Sequence, residues 1–243
     1  MYIDKRMIYV IIAIMVIAGL ASYLSDPDAL LGLLLTIPGL LIAITFHEFA
    51  HAYAADKLGD DTPRNQGRLT LNPLGHLDPI GSVMLLFAGF GWGKPVEVNP
   101  RNYDRRFSMD KADAIVSIAG PLMNFFLAIV LTLIYCAIYK FARVVAVTSQ
   151  IGTIIMLMIR YAISINVGLG VFNLIPLPPL DGSKVIKPFL PNSAKIWFEN
   201  NERTFQIVFV ALWVIGILGT IVSPIIGTVN GAIINLGFKI FGL

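Results

Sequence analysis

Two histidines and a glutamate stand together in His47-Glu48-Phe49-Ala50-His51. On an α-helix residues i and i+4 share a face, so both imidazoles reach one metal ion. Glu48, directly after the first histidine, then sits beside a water at that metal and can accept its proton as the water attacks a carbonyl. A catalytic zinc needs three protein ligands and one open position. The chain has three histidines, the third being His76. The soluble metzincin pattern is absent, because Lys57 and Ala54 stand where it has its last histidine and its glycine. The third ligand is therefore a carboxylate or His76. Asp181 is the best-placed carboxylate, closing the run Asn173-Leu-Ile-Pro-Leu-Pro-Pro-Leu-Asp181-Gly182. Pro176, Pro178 and Pro179 end a helix there and are expected to hold the backbone extended, presenting Asp181 on a rigid arm. His76 and Asp78 are the reserve ligands, with loop positioning as their simpler role.

The elements that carry these residues are apolar. Of 243 residues 56% are hydrophobic and 14% charged, and the mean hydropathy is +0.77. A soluble domain carries roughly 25% charged residues, so this composition excludes a soluble enzyme, a secreted disulfide scaffold and a disordered chain. The single cysteine, Cys136, excludes an intrachain disulfide and a thiolate zinc cluster. The net charge of +3 lies in loops between apolar runs, so no nucleic-acid partner is expected. What remains is an all-α polytopic membrane protein embedded in a lipid bilayer.

Counted against the roughly 20 residues needed to cross the hydrocarbon, about six spans emerge. They are Met7–Leu24, Ala29 to about Tyr53, Ala112–Tyr139, about Tyr161–Leu177, Thr204–Val222 and Ile225–Phe241, the last two separated by Ser223-Pro224. The first is read as an uncleaved span in preference to a signal peptide ending near Gly19-x-Ala21. At 1.5 Å of rise per residue, His47 lies about 27 Å along the second span from Ala29, near its far end. Ile80–Trp92 is apolar but too short to span and, with Gly93 directly after it, carries four glycines, which reads as a re-entrant, hairpin-like element after the second span. The alternation of Val96 and Val98 behind it is a strand signal. With the N-terminus cytoplasmic, every Lys and Arg except Lys140, Arg143 and Arg160 falls inside, Lys239 included, and the active-site side is cytoplasmic. Arg160 is expected to open the fourth span, leaving Ile151–Ile159 as an outer interfacial helix. One membrane-embedded domain over 1–243 is expected, with a catalytic core at about 29–190 and a C-terminal helix pair at about 204–241.

Together with Gly120-Pro121-x-x-Asn124, the His47–His51 motif and the Asn173–Gly182 run resemble the site-2 protease family of intramembrane zinc metalloproteases. The likeness covers about Leu40 to Lys187 and is that of a short member without PDZ or CBS domains. It implies His47, His51 and Asp181 as ligands of one Zn2+ per chain, Glu48 as catalytic acid/base, and peptide-bond hydrolysis in or near transmembrane segments of protein substrates. It also makes Asn124 and Asn173 candidates for positioning the substrate or the oxyanion, against the plainer roles of interhelical bonding and ligand support. The re-entrant element would clamp an unwound substrate through a strand edge. A metal or ion transporter using the same cluster is the competing class, disfavoured because the ionisable residues gather at one depth and no repeat is visible. Homo-oligomerisation is left open.

Overall fold

A computed structural model describes residues 5–88 and 93–243. Among them run the helices α1 (Lys5–Ser25), α2 (Pro27–Lys57), α3 (Thr62–Asn65), α4 (Pro79–Ala88), α5 (Met109–Phe141), α6 (Arg143–Thr148), α7 (Gln150–Asn173), α8 (Asp181–Ile186), α9 (Asn192–Asn200), α10 (Glu202–Val214) and α11 (Ile217–Phe241). Four of these, α2, α5, α7 and α11, are long and apolar enough to cross a bilayer. A helix satisfies its own backbone groups, which is what hydrocarbon demands of any segment that enters it.

Local chemistry sets the boundaries. Asp26 caps α2 by accepting from the backbone N–H groups of Asp28 and Ala29 at 3.0 and 3.2 Å, and Pro27 fills the first helical position. Ser149 caps α7 by accepting from Gly152 N–H at 3.0 Å. No proline interrupts α7 after that cap, so the chain stays helical to Asn173. The outer helix expected over Ile151–Ile159 is therefore the first half of α7, and Arg160 lies within it.

Lipid tails are as apolar as leucine, so close packing and interhelical hydrogen bonds hold the bundle. α2, α5 and α7 make the most extensive mutual contacts. Deeper along the bundle Ala128, Ile163 and Val167 are buried, with Ile226, Val229 and Ile233 of α11 packed around them. α1 lies against α4 and α2.

The C-terminal pair departs from expectation. α10 ends at Val214 and the chain turns at Gly216, whose φ of +81° suits a residue without a Cβ. Thirteen residues of helix reach about 20 Å, short of the hydrocarbon thickness. Ser223-Pro224, expected to separate two spans, lies inside the single helix α11. α11 begins beside Leu180, where Leu218 is buried with Phe209. It ends beside the far end of α5, where Lys140 Nζ donates to the Phe241 carbonyl and the Phe141 and Phe241 rings meet with centroids 6.4 Å apart. Lys239 therefore shares an end of the bundle with Lys140, opposite the His47 end, whereas the charge pattern places those two lysines at opposite ends.

After α2 the chain makes a closed excursion. Leu77 and Gly93 form an antiparallel bridge, and Lys94 N–H donates to the His76 carbonyl at 2.8 Å. Within the excursion residues 79–88 are the helix α4, where a hairpin-like form was expected; Gly89–Trp92 lie outside the described residues. The strand signal at Val96 and Val98 yields no ladder among the described residues, because its neighbours there are side chains and not a second strand.

Candidate metal centre

Ala43, His47 and His51 are spaced by four residues and form one row along α2. Val116, Gly120 and Asn124 form a row of the same period on α5. The two rows run antiparallel and meet. His51 Nδ1 donates to the Val116 carbonyl at 2.7 Å, His47 Nδ1 donates to Asn124 Oδ1 at 2.6 Å, and Asn124 Nδ2 donates to the Ala43 carbonyl at 3.1 Å. Between these anchors Gly120 gives the rings a flat seat. A Cβ there would fall 2.4 Å from His51 Nε2 and 2.7 Å from His47 Cε1, closer than atoms can approach.

The third member arrives from α8. Residues 174–180 do not run extended: Leu177 N–H bonds the Ile175 carbonyl and Leu180 N–H the Leu177 carbonyl, so the prolines are folded into successive turns. Asp181 opens the short helix that follows. Its Oδ2 lies 3.2 Å from Nε2 of both His47 and His51, which are themselves 3.0 Å apart. That carboxylate oxygen is buried and has no hydrogen-bond partner among the described residues.

The donor set decides what fits here. Both Nδ1 atoms carry protons, since a backbone carbonyl accepts from one and an amide oxygen from the other. In the neutral form of each ring Nε2 is therefore the bare lone pair. Two bare nitrogens and one carboxylate oxygen, all within about 3 Å of each other, repel unless a cation lies among them. Two imidazoles and a carboxylate suit zinc, with room left for the open position of a catalytic site.

Glu48 follows His47 on the adjoining face of α2, and its Oε2 accepts Val96 N–H at 3.1 Å. The segment bearing Val96 is clamped on both sides. Arg68, buried, donates its guanidinium to the carbonyls of Gly75, Lys94 and Pro95. Asp60 Oδ2 accepts Asn99 N–H at 2.6 Å, while its Oδ1 accepts from Thr62 N–H, Thr62 Oγ1 and Asn102 Nδ2. Burial pushes the Asp60 carboxyl up, but these bonds outweigh it and hold the group below the usual carboxylate range.

The remaining candidates lie elsewhere. His76 is fully buried and its Nε2 bonds the Thr70 carbonyl at 2.7 Å, while Asp78 accepts Gly81 N–H at 2.7 Å and so caps α4. Neither belongs to a metal-ligating group among the described residues; His76 holds loop backbone and Asp78 the first turn of α4. Asn173 Nδ2 donates to the Leu169 carbonyl of its own helix at 3.0 Å. Asn124 has both amide protons engaged, one to Ala43 and one to Asn166 Oδ1 at 3.0 Å.

Asn166 and Arg68 were not among the candidates. Asn166 carries the signal that singled out Asn124, an amide inside an apolar span. Arg68 looked like one more cytoplasmic charge, and nothing in its neighbours announces a buried guanidinium.

Residues 93–216 match the model of peptidase family M50. A protein of Bacillus subtilis named "Putative zinc metalloprotease YwhC" is 37% identical over 204 residues, which is 83% of this chain and 90% of that protein. The chain belongs to the site-2 protease family, peptidase family M50. Two more relatives, each named "Putative zinc metalloprotease Rip2", are found in Mycolicibacterium smegmatis and Mycobacterium tuberculosis. They are 31% and 30% identical over 74% and 72% of this chain, and over 66% and 64% of their own. No solved structure matches. The family match takes in Asn124, Asn166 and Asp181 and begins beyond His51. Membership makes this chain a membrane zinc metalloprotease, acting on protein and lodged in the bilayer, and the transporter reading falls. The cluster of His47, His51 and Asp181 fits the single zinc of such an enzyme.

Proposed function

We propose that this M50 protease hydrolyses peptide bonds within or next to transmembrane segments of membrane-protein substrates. His47, His51 and Asp181 hold the zinc and Glu48 is the catalytic acid/base. One observation carries the proposal: two Nε2 lone pairs and a buried, unpartnered carboxylate oxygen converge on α2, a helix apolar enough to lie in hydrocarbon.

Zinc, when bound, polarises the scissile carbonyl and acidifies water beside it. Glu48 takes the proton of the attacking water and returns it to the departing amine. The Val96 N–H holds Oε2, so the lone pairs of Oε1 are left for that proton. Val116 and Asn124 keep the imidazoles aimed. Asn124, with no amide proton to spare, orients His47 and does not serve the oxyanion. Asn173 steadies the last turn of α7, from which the Asp181 arm departs. A helical substrate has its carbonyls bonded internally and must unwind before one is offered.

The same proposal places the N-terminus and the site on the cytoplasmic side, where most Lys and Arg lie. α1, α2, α5, α7 and α11 cross, and α10 stays at the site end. The excursion from Leu77 to Gly93 is the re-entrant element; the bridge that joins its ends supports this. α10 and α11 pack on the core through Leu180, which favours one domain over 1–243 with a core at about 29–190.

The test is Glu48→Gln in vesicles carrying a single-span reporter. Zinc content is expected to persist while cleavage falls by about two to four orders of magnitude. Undiminished turnover would exclude the mechanism.

A further inference from the structure

The proton of His47 is set by a line of side chains that reaches into a third helix. We infer that Asn166 of α7 is a positioning residue for zinc, fixing the tautomer of His47 through Asn124; the inference rests on His47 being a ligand.

The line starts at an atom that can only accept. The Ala162 carbonyl takes Asn166 Nδ2 at 2.8 Å, which fixes the nitrogen end of that amide. Asn166 Oδ1 then accepts from Asn124 Nδ2 at 3.0 Å, and the Ala43 carbonyl takes the other Nδ2 proton at 3.1 Å. Only Oδ1 of Asn124 is left to face His47, so His47 Nδ1 is the donor of the 2.6 Å bond and Nε2 is bare toward Asp181. Asn124 and Asn166 are both 0% exposed, so no bulk water substitutes for a missing partner.

The two histidines reach the same tautomer by different means. His51 bonds a main-chain carbonyl, which no side-chain replacement removes. His47 bonds a side-chain amide, that of Asn124, which the Ala43 carbonyl and Asn166 hold together. Without Asn166, one Asn124 N–H is buried and unpaired, and the Ala43 carbonyl alone holds the amide; a flip then trades that single bond for one from Nδ2 to Nδ1 of His47. That competition pushes the ring proton toward Nε2, the atom that faces the metal. Outer partners of a ligating histidine typically govern affinity by about 10–100-fold.

The test uses the full chain in detergent, with zinc as the probe and a chelator as competitor, alongside 15N spectra of the histidine rings in zinc-free protein. Wild type is expected to show His47 and His51 protonated on Nδ1. Asn166→Leu is expected to weaken zinc by about tenfold or more and to move the His47 ring proton alone. Asn230→Leu, which removes a comparable bond between α11 and α7 (Nδ2 to Ser164 Oγ, 3.1 Å), is expected to match wild type. Wild-type zinc affinity in Asn166→Leu, an equal loss in Asn230→Leu, or a proton on Nε2 of His47 in wild type overturns the inference. If Asn166→Leu does not fold, the wild-type spectrum decides alone. No substrate enters these measurements, so a failure to detect proteolysis and a failure of this relay are told apart.

Discussion

The Glu48 carboxylate accepts the backbone N–H of Val96 at 3.1 Å, across 48 residues of sequence. The proposed acid/base is thus aimed by main chain, and that main chain is itself gripped by Arg68 on one side and Asp60 on the other. A buried guanidinium satisfied by carbonyls and a buried carboxylate satisfied by N–H groups are stable because each has its partners. Together they turn a segment with no regular structure into a fixed strap beside the Glu48 face of α2.

Val96→Pro removes the N–H that holds Glu48 and leaves every proposed zinc ligand in place. A hydrogen bond to a charged group contributes about 1.5–3 kcal/mol, or roughly ten- to a hundredfold in rate. Cleavage of the reporter is expected to fall by that factor with zinc content unchanged. Wild-type cleavage in this variant would show that the strap does not aim the base.

Gly120→Ala introduces a methyl where both imidazoles rest. The rings cannot keep their bonds to Val116 and Asn124 and also clear it. Zinc affinity is expected to drop at least tenfold, read by chelator competition. The helix itself gains from alanine, so a fall in zinc binding without loss of helicity by circular dichroism separates the site effect from unfolding.

Asp60 gives a pH dependence with a defined sign. Its folded-state pKa lies below the unfolded value of about 3.9. Its stabilising contribution is therefore complete above that value and is lost as pH falls through the lower folded one. Protection of the 94–104 backbone in hydrogen exchange is expected to be flat from pH 8 to 5 and to weaken only below about pH 4. Asp60→Asn replaces an acceptor by a donor facing donors. It is expected to lose about 1–3 kcal/mol of that protection at neutral pH. Protection that titrates near neutrality would point to another group.

The course of α11 fixes where the last residue emerges. Leu243→Cys and Leu74→Cys, each in a Cys136→Ala background, are expected to react with an impermeant thiol reagent from opposite faces of the membrane. Leu74 is 80% exposed, and the site end is its own end of the bundle. Labelling of both from one face would contradict the placement of Phe241 beside Lys140.

Much of the centre was readable because its signals are local. The i, i+4 spacing of His47 and His51 states that they share a face, and an aspartate behind three prolines at the end of a span states where a third ligand can be offered. Gly120 and Asn124 share that spacing, and their rows explain it. What escaped reading depends on distance in the chain. Pro224 looks like a break and Gly216 does not, yet proline is tolerated in a membrane helix whereas a left-handed glycine turns the chain. Arg68 and Asp60 have ordinary neighbours; only the return of residues 93–102 to them reveals that both are buried. Asn166 was legible in principle, an amide among Ile, Val and Gly, but its meaning needs Asn124 beside it.

Leu180, the residue before Asp181, is packed between Phe209 of α10 and Leu218 of α11. Two of the three proposed ligands ride on one rod and cannot part company, while the third hangs from a joint whose far half is the last quarter of the chain. Slack introduced there subtracts one ligand and only one, turning a three-point grip into a two-point grip that trades its ion readily. Damage beyond residue 200 will therefore read out as zinc hunger that extra metal relieves, whereas damage at either histidine will not be cured by feeding.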